Sequence, residues 1–150
     1  MNLKRMMMSA TLAAITLAPF GWTQAQTAPA QSDMASRPHK VVFQLSDADP
    51  GKWNLALNNA RNVRKDLGEH SVAIEIVAYG PGIGMLKADS IVGNRVAEAL
   101  KGGVAIVACE NTMKGQKLSR DDMLDHIGFV EAGVVELMQR QKQGYAYIRP

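Results

Sequence analysis

The sequence has one cysteine, Cys109, and three histidines among its 150 residues. A single cysteine excludes an internal disulfide, so the thiol is buried and inert, reactive, or part of an intermolecular bridge. His39, His70 and His126 are scattered along the chain and show no spacing typical of zinc ligands. The sequence therefore predicts no metal site, and we expect no cofactor.

Common nucleotide-binding and hydrolase motifs are also missing. The chain contains no Gly-x-Ser-x-Gly nucleophile elbow. Residues 80–84, Gly-Pro-Gly-Ile-Gly, lack both the dinucleotide-binding spacing and the lysine of a Walker motif. The favoured interpretation is a tight turn, but glycines after a strand can also let the backbone approach a ligand. Gly80 and Gly82 are therefore candidate binding residues.

Without its N-terminal segment, the chain has almost no net positive charge. The chain has 17 Lys and Arg against 14 Asp and Glu. Lys4 and Arg5 precede the first apolar run, and without these two the balance is 15 basic against 14 acidic residues. No basic stripe remains that would indicate binding to nucleic acid.

The N-terminal segment has the pattern of a secretory signal peptide. Lys4 and Arg5 form a positive region, residues 6–19 are apolar, and small residues follow near Ala25. An uncleaved anchor is the alternative, but the apolar run is short for a bilayer, so we expect no stable membrane span. We predict a signal peptide over residues 1–25 and a periplasmic protein.

The remaining sequence is divided into a leader and one domain. Residues 26–38 are rich in Ala, Gln, Ser, Thr and Pro and are predicted to be a flexible leader. Residues 39–150 have the length of one ordinary domain. Strands and helices alternate, which predicts a three-layer α/β/α fold with a mostly parallel sheet of about five strands. Predicted strands are 41–45, 72–79, 104–108, 127–130 and 145–148. Predicted helices are 50–67, from 89 or 90 to 101, about 119–124, and 131–143.

Glu75 is the one charged residue of the second predicted strand, which is otherwise apolar. A buried carboxylate without a partner is costly. Glu75 therefore requires a partner, a subunit interface or a partly exposed face, and the last of these is the favoured interpretation.

Cys109 follows the short apolar run of residues 104–108. A run without charge, preceded by two glycines, is typical of a strand that is buried on both faces of a parallel sheet. Ligands of open α/β sheets bind beyond the carboxyl ends of the strands. The sequence therefore places its single thiol in the region where such folds usually bind or react.

The polar loop after the thiol could activate it. Asn111 and Thr112 can supply hydrogen-bond donors, and Lys114 and Lys117 add positive charge. We hypothesise that Cys109 is accessible and has a lowered pKa, since nearby donors and cations stabilise a thiolate. The alternative, favoured by residue type alone, is that Cys109 is a small buried apolar residue.

Several stretches together carry a family resemblance. They are residues 39–46, 72–82, 104–113, 132–137 and 144–150, and the Cys-x-Asn-Thr-Met piece at 109–113 is the most specific. The domain resembles the DsrE/DsrF-like family of sulfur-relay and related proteins. The resemblance implies the three-layer fold, homo-oligomers such as trimers or hexamers, and a cysteine, matched by Cys109, that carries persulfide sulfur between partner proteins. The signal peptide and the lack of a second cysteine depart from the cytoplasmic relay members.

Two functions remain open at this point. The first is a sulfur carrier or sulfurtransferase accessory that uses Cys109 and needs a sulfur donor or acceptor protein. The second is a non-catalytic oligomeric module with a structural Cys109, in which the turn at residues 80–84 helps to form a small-molecule pocket.

The signal peptide gives a direct prediction. Because the small residues end at Ala25, N-terminal sequencing of exported protein should begin near Gln26, with cleavage after Ala28 or Ala30 as alternatives. A cytoplasmic protein that retains Met1 would contradict the prediction.

Overall fold

The computed structural model describes residues 36–150. The predicted signal peptide, 1–25, and most of the predicted leader, 26–38, lie outside the described residues. Arg37, near the end of that leader, is held in place, because its Nη1 donates to the carbonyl oxygen of Val72 at 2.8 Å. Contacts with the sheet therefore extend at least to Arg37, before the first strand.

Five strands and four α-helices form the described domain. The strands are β1 His39–Leu45, β2 Val72–Ala78, β3 Ala105–Cys109, β4 Gly128–Val130 and β5 Ala146–Ile148. The helices are α1 Pro50–Leu67, α2 Gly93–Lys101, α3 Glu110–Gly115 and α4 Gly133–Lys142. Two 3₁₀ helices span Gly80–Leu86 and Arg120–Asp122. No helix of residues 36–150 is long and apolar enough to cross a membrane.

All five strands are parallel, in the order β4-β3-β2-β1-β5. The predicted parallel α/β sheet is confirmed. Its central strands β1 and β2 are almost entirely buried, which explains their near-continuous apolar sequences. The carboxyl ends of the strands meet at one edge of the sheet, where Cys109 ends β3.

Helices cover both faces of the sheet, but unequally. On one face α1, α2 and the longer 3₁₀ helix pack over a large core that includes Phe43, Ile76 and Ile106. On the other face α4 contributes Leu137 to a smaller core with Val42. The second face is therefore covered mainly over the middle of the sheet.

Helix α1 begins and ends where the sequence predicts. Asp49 precedes it and accepts a hydrogen bond from the backbone N–H of Gly51 at 2.7 Å, while Pro50 occupies the first turn. At the other end Gly68 has a φ of 92°, a left-handed conformation that glycine adopts without strain.

The predicted short helix at residues 119–124 is wrong beyond its first turn. Ser119 does cap a 3₁₀ turn with Asp122, as a residue at its start should. The chain then becomes extended because the Leu124 N–H donates to the Leu86 carbonyl at 2.8 Å. Pairing with a distant segment thus replaces local helical hydrogen bonds.

Two other helix starts are also later than predicted. Helix α2 begins at Gly93 rather than at residue 89 or 90, and Val92 before it supplies no side-chain cap. Ser90 accepts instead from the Val92 N–H at 3.4 Å, within the turn before the helix. Helix α4 begins at Gly133 rather than at residue 131.

Helix α4 does not bury the apolar stripe that its sequence predicts. Leu137 is buried, but Val134 is 53% exposed and Met138 is 58% exposed. The helix instead turns Glu136 and Arg140 toward the sheet. An ion pair inside the domain, described next, accounts for this orientation.

Glu75 is fully buried at the centre of the sheet, so the favoured interpretation of a partly exposed face is wrong. Its partner is Arg140 of α4, whose Nη2 lies 2.7 Å from Glu75 Oε2. The same guanidinium binds Glu136 Oε1 through Nε at 2.8 Å and lies over the Tyr145 ring. Burial raises the pKa of Glu75 to about 7, against the lowering effect of Arg140, while Glu136 raises it further.

This raised pKa predicts how stability depends on pH. The folded pKa of Glu75 exceeds its ordinary 4.5, so the folded protein holds this proton more tightly than the unfolded chain. Protonated Glu75 therefore contributes its full stabilisation of the folded protein at pH values below the unfolded pKa. This stabilisation is lost as the pH rises to about 7. Between about pH 4.5 and about pH 8, wild type should lose roughly 3 kcal/mol relative to Glu75→Gln, as measured by urea unfolding.

The Glu75→Gln variant is matched because glutamine has a similar shape and no titration. Carboxylates that contact neither Glu75 nor Arg140 titrate in both proteins and cancel in the difference, whereas Glu136 shares Arg140 with Glu75. A difference in unfolding free energy that stays constant with pH would show that Glu75 does not titrate in this range.

Candidate functional site

The candidate site lies at the carboxyl edge of the sheet, where β2, β3 and β4 end. Cys109 is the last residue of β3 and is in register with Val130 at the end of β4. Tyr79 and Gly80 follow β2 at the same edge. The predicted position of the thiol, beyond the carboxyl end of a buried strand, is confirmed.

Cys109 is more covered than we hypothesised. Only 5% of it is exposed. In its thiol form, the Sγ donates weakly to the carbonyl oxygen of Glu131, 3.9 Å away in the connection between β4 and α4. The described conformation therefore gives the thiol little direct contact with solvent, as the structural alternative also predicts.

The hydrogen bonds around the sulfur nevertheless favour a thiolate. Burial raises the pKa of the Cys109 thiol, but donors to the sulfur outweigh it. They are the Thr112 hydroxyl and the backbone N–H groups of Gly133, Thr112 and Asn111. The net pKa of Cys109 lies below the ordinary thiol value, which confirms the predicted direction.

Only part of the expected cause of the lowered pKa is confirmed, namely the donors at Thr112 and Asn111. The leading contributions are hydrogen bonds, rather than the charges of Lys114 and Lys117. Both lysines are exposed. Their charges are thus largely screened by solvent, and the predicted role of Lys114 in binding a ligand stays a prediction.

Thr112 connects the thiol to the glycine-rich segment. Its Oγ1 accepts a hydrogen bond from the Gly80 N–H at 2.9 Å, which leaves the hydroxyl hydrogen to point at the sulfur. Gln116 Nε2 donates to the carbonyl of Gly80 at 3.3 Å. Gly80 has a φ of 53°, which suits glycine. The structure therefore brings Gly80, which is distant in the sequence, next to Thr112 and Cys109.

Gly82 has a packing role in the structure. A Cβ at this position would collide with the backbone carbonyl of Leu45 at the end of β1. The glycine thus lets the 3₁₀ helix lie directly against the sheet edge. The backbone of Leu45 leaves no free space for a ligand on that side of Gly82. The predicted role of Gly82 in binding stays a prediction.

Neither Gly133 nor Glu131 was among the site residues predicted from the sequence. Gly133 donates to the sulfur through its backbone, which any residue carries, so no residue type signals it. A Cβ on Gly133 would lie 3.0 Å from Tyr79 Cβ, so glycine permits α4 to begin close to the end of β2. In the sequence, Gly133 was marked only by the family resemblance, which includes residues 132–137.

The site offers a nucleophile without an adjacent imidazole base. His126 precedes β4 and so lies toward the amino edge of the parallel sheet, away from Cys109. Across residues 36–150, no group of three or more His, Cys, Asp or Glu side chains could hold a metal ion. The chemistry available at this edge is therefore that of a hydrogen-bonded thiolate.

One family model and two solved structures match this chain. The model of the DsrE/DsrF-like family matches residues 39–150. A protein of unknown function, MTH1491 from Methanobacterium thermoautotrophicum, is 38% identical, with a TM-score of 0.72 over 75% of this chain and 99% of that chain. BT1422 from Bacteroides thetaiotaomicron, also of unknown function, is 16% identical, with a TM-score of 0.60 over 83% of this chain and 100% of that chain, and supports the fold alone. The search of curated proteins gave no match.

The hydrogen bond from Thr112 can be tested by substitution. Thr112→Val removes the hydroxyl, and a hydrogen bond to a charged group is worth about 1.5 kcal/mol or more, so the pKa of Cys109 should rise by about one unit. Alkylation by iodoacetamide, followed as a function of pH, measures this shift. Thr112→Ser keeps the hydroxyl and should resemble wild type. Superimposable pH profiles for Thr112→Val and wild type would contradict the assignment.

Proposed function

The chain belongs to the DsrE/DsrF-like family, and we propose that it carries sulfane sulfur as a persulfide on Cys109. Membership of the family suggests a function related to sulfur relay. The observation that supports this residue in particular is the set of donors that converge on its sulfur and lower its pKa. Sulfur transfer requires a thiolate, and these donors raise the thiolate fraction at neutral pH.

The transfer step is redox-neutral and needs no cofactor. The Cys109 thiolate attacks the outer sulfur of a persulfide or polysulfide donor. The S–S bond of the donor breaks, a new S–S bond forms at Cys109, and the electron pair leaves with the donor thiolate. A single cysteine suffices for this exchange, so the lack of a second cysteine is compatible with it.

Delivery of the sulfur uses the same donors. When an acceptor thiolate attacks the outer sulfur, Cys109 is the leaving group. A thiol with a lowered pKa leaves faster. The Thr112 hydroxyl and the Gly133 amide would therefore assist both loading and release.

The low exposure of Cys109 limits which sulfur donors can reach its thiol. Because Cys109 is 5% exposed, a donor must be small, or a partner protein must displace the connection that carries Glu131.

We further propose that the protein works in the periplasm as a homo-oligomer, a trimer or hexamer. The exposed side chains of Val134, Val135 and Met138 on α4 are apolar surface that an interface would cover.

Burial of the thiol also favours the second candidate function, a non-catalytic binding module. In that case Cys109 is a packed residue and its hydrogen bonds only satisfy the structure. The two candidates differ in one property, which is whether the native thiol reacts.

Intact mass spectrometry after treatment with polysulfide distinguishes them. Native wild-type protein should gain the mass of sulfur and lose it on reduction, while Cys109→Ser should gain none. Thr112→Val should load more slowly than Thr112→Ser. If Cys109 takes up sulfur only after the protein is unfolded in urea, the thiol is structural and the sulfur-carrier proposal fails.

A further inference from the structure

A second candidate site lies between α1 and α2, on the face of the sheet opposite α4. A cavity of about 90 Å³ is lined there by three arginines, Arg61, Arg64 and Arg95. Leu57 and Val104 supply apolar walls. The cavity shares no residue with the surroundings of Cys109.

The charges of these arginines are incompletely paired. Arg64 Nη2 binds Glu69 Oε1 at 2.6 Å. Among the described residues, no carboxylate oxygen lies within 4.0 Å of a charged nitrogen of Arg61 or Arg95. The Nε of Arg64 is buried and has no hydrogen-bond acceptor in the described part of the chain. Because this Nε is inaccessible, the charges without a carboxylate partner that a ligand in the cavity could meet are those of Arg61 and Arg95.

One of the arginines, Arg95, is held in a fixed position. Arg95 donates from Nη2 to Asn58 Oδ1 at 2.7 Å and from Nη1 to Asn54, both on α1. The donors of Arg95 are therefore positioned before any ligand binds, which lowers the entropy cost of binding.

We propose that this cavity binds a small tetrahedral oxyanion of the class of sulfate or phosphate. The volume of about 90 Å³ corresponds to about three water molecules, which admits such an anion. Guanidinium groups recognise oxyanions through charge-assisted hydrogen bonds. Glu98 also lines the cavity and opposes an anion, so its removal should strengthen binding.

Isothermal titration calorimetry of the purified protein with sodium sulfate, and separately with inorganic phosphate, tests this site. Ionic strength is held constant with sodium chloride. Arg61 is exposed, and its one contact is to Asn58 at 3.5 Å, so Arg61→Gln should fold normally. It should weaken binding by about tenfold, the value of one charge-assisted hydrogen bond.

Two further variants separate a specific site from general attraction. Lys65→Gln removes the same charge from the same helix but lies outside the cavity lining, and should bind like wild type. Glu98→Gln should bind more tightly than wild type. Absence of saturable binding in wild type, or equal weakening by Lys65→Gln and Arg61→Gln, would overturn the proposal.

Discussion

The buried ion pair between Glu75 and Arg140 fixes the position of α4 on the sheet. Glu75 lies at the centre of β2 with no exposure to solvent, and Arg140 reaches it from α4 at 2.7 Å. Two charges removed from water gain stability only when their geometry and their other contacts are good. Arg140 has such contacts, because Glu136 binds it at 2.8 Å and its guanidinium lies over the Tyr145 ring, whereas Glu75 Oε1 is buried without a hydrogen-bond partner among the described residues and the pKa of Glu75 is raised to about 7. The pair therefore sets which side of α4 faces the sheet, against the apolar pattern of its sequence.

The position of α4 in turn completes the surroundings of the thiol. With the helix held over β2, its first residue, Gly133, lies beside Tyr79 and its N–H reaches the sulfur of Cys109. Thr112 approaches from the other side and is oriented by Gly80. Each pKa unit requires only about 1.4 kcal/mol of differential stabilisation, so a few such hydrogen bonds are enough to oppose the cost of burial.

Local sequence predicted much of this arrangement. The strands, the capped helix α1 and the place of Cys109 at a strand end follow from apolar runs, Asp49, Pro50 and Gly68. What failed depends on partners distant in sequence. Arg140 decides the burial of Glu75 and the orientation of α4, and the Leu86 carbonyl draws Leu124 out of a helix. Gly133 contributes through its backbone, which carries no signal in residue type.

The hydrogen bonds around Cys109 should stabilise its thiolate in the folded protein. The most direct measurement is the ultraviolet absorbance of the thiolate during a pH titration of native protein, with Cys109→Ser as the blank. We predict that the inflection in the native protein lies at a lower pH than in the protein unfolded in urea. An inflection in the native protein at or above that of the unfolded protein would show that burial outweighs the hydrogen bonds and that the native fold does not stabilise the thiolate.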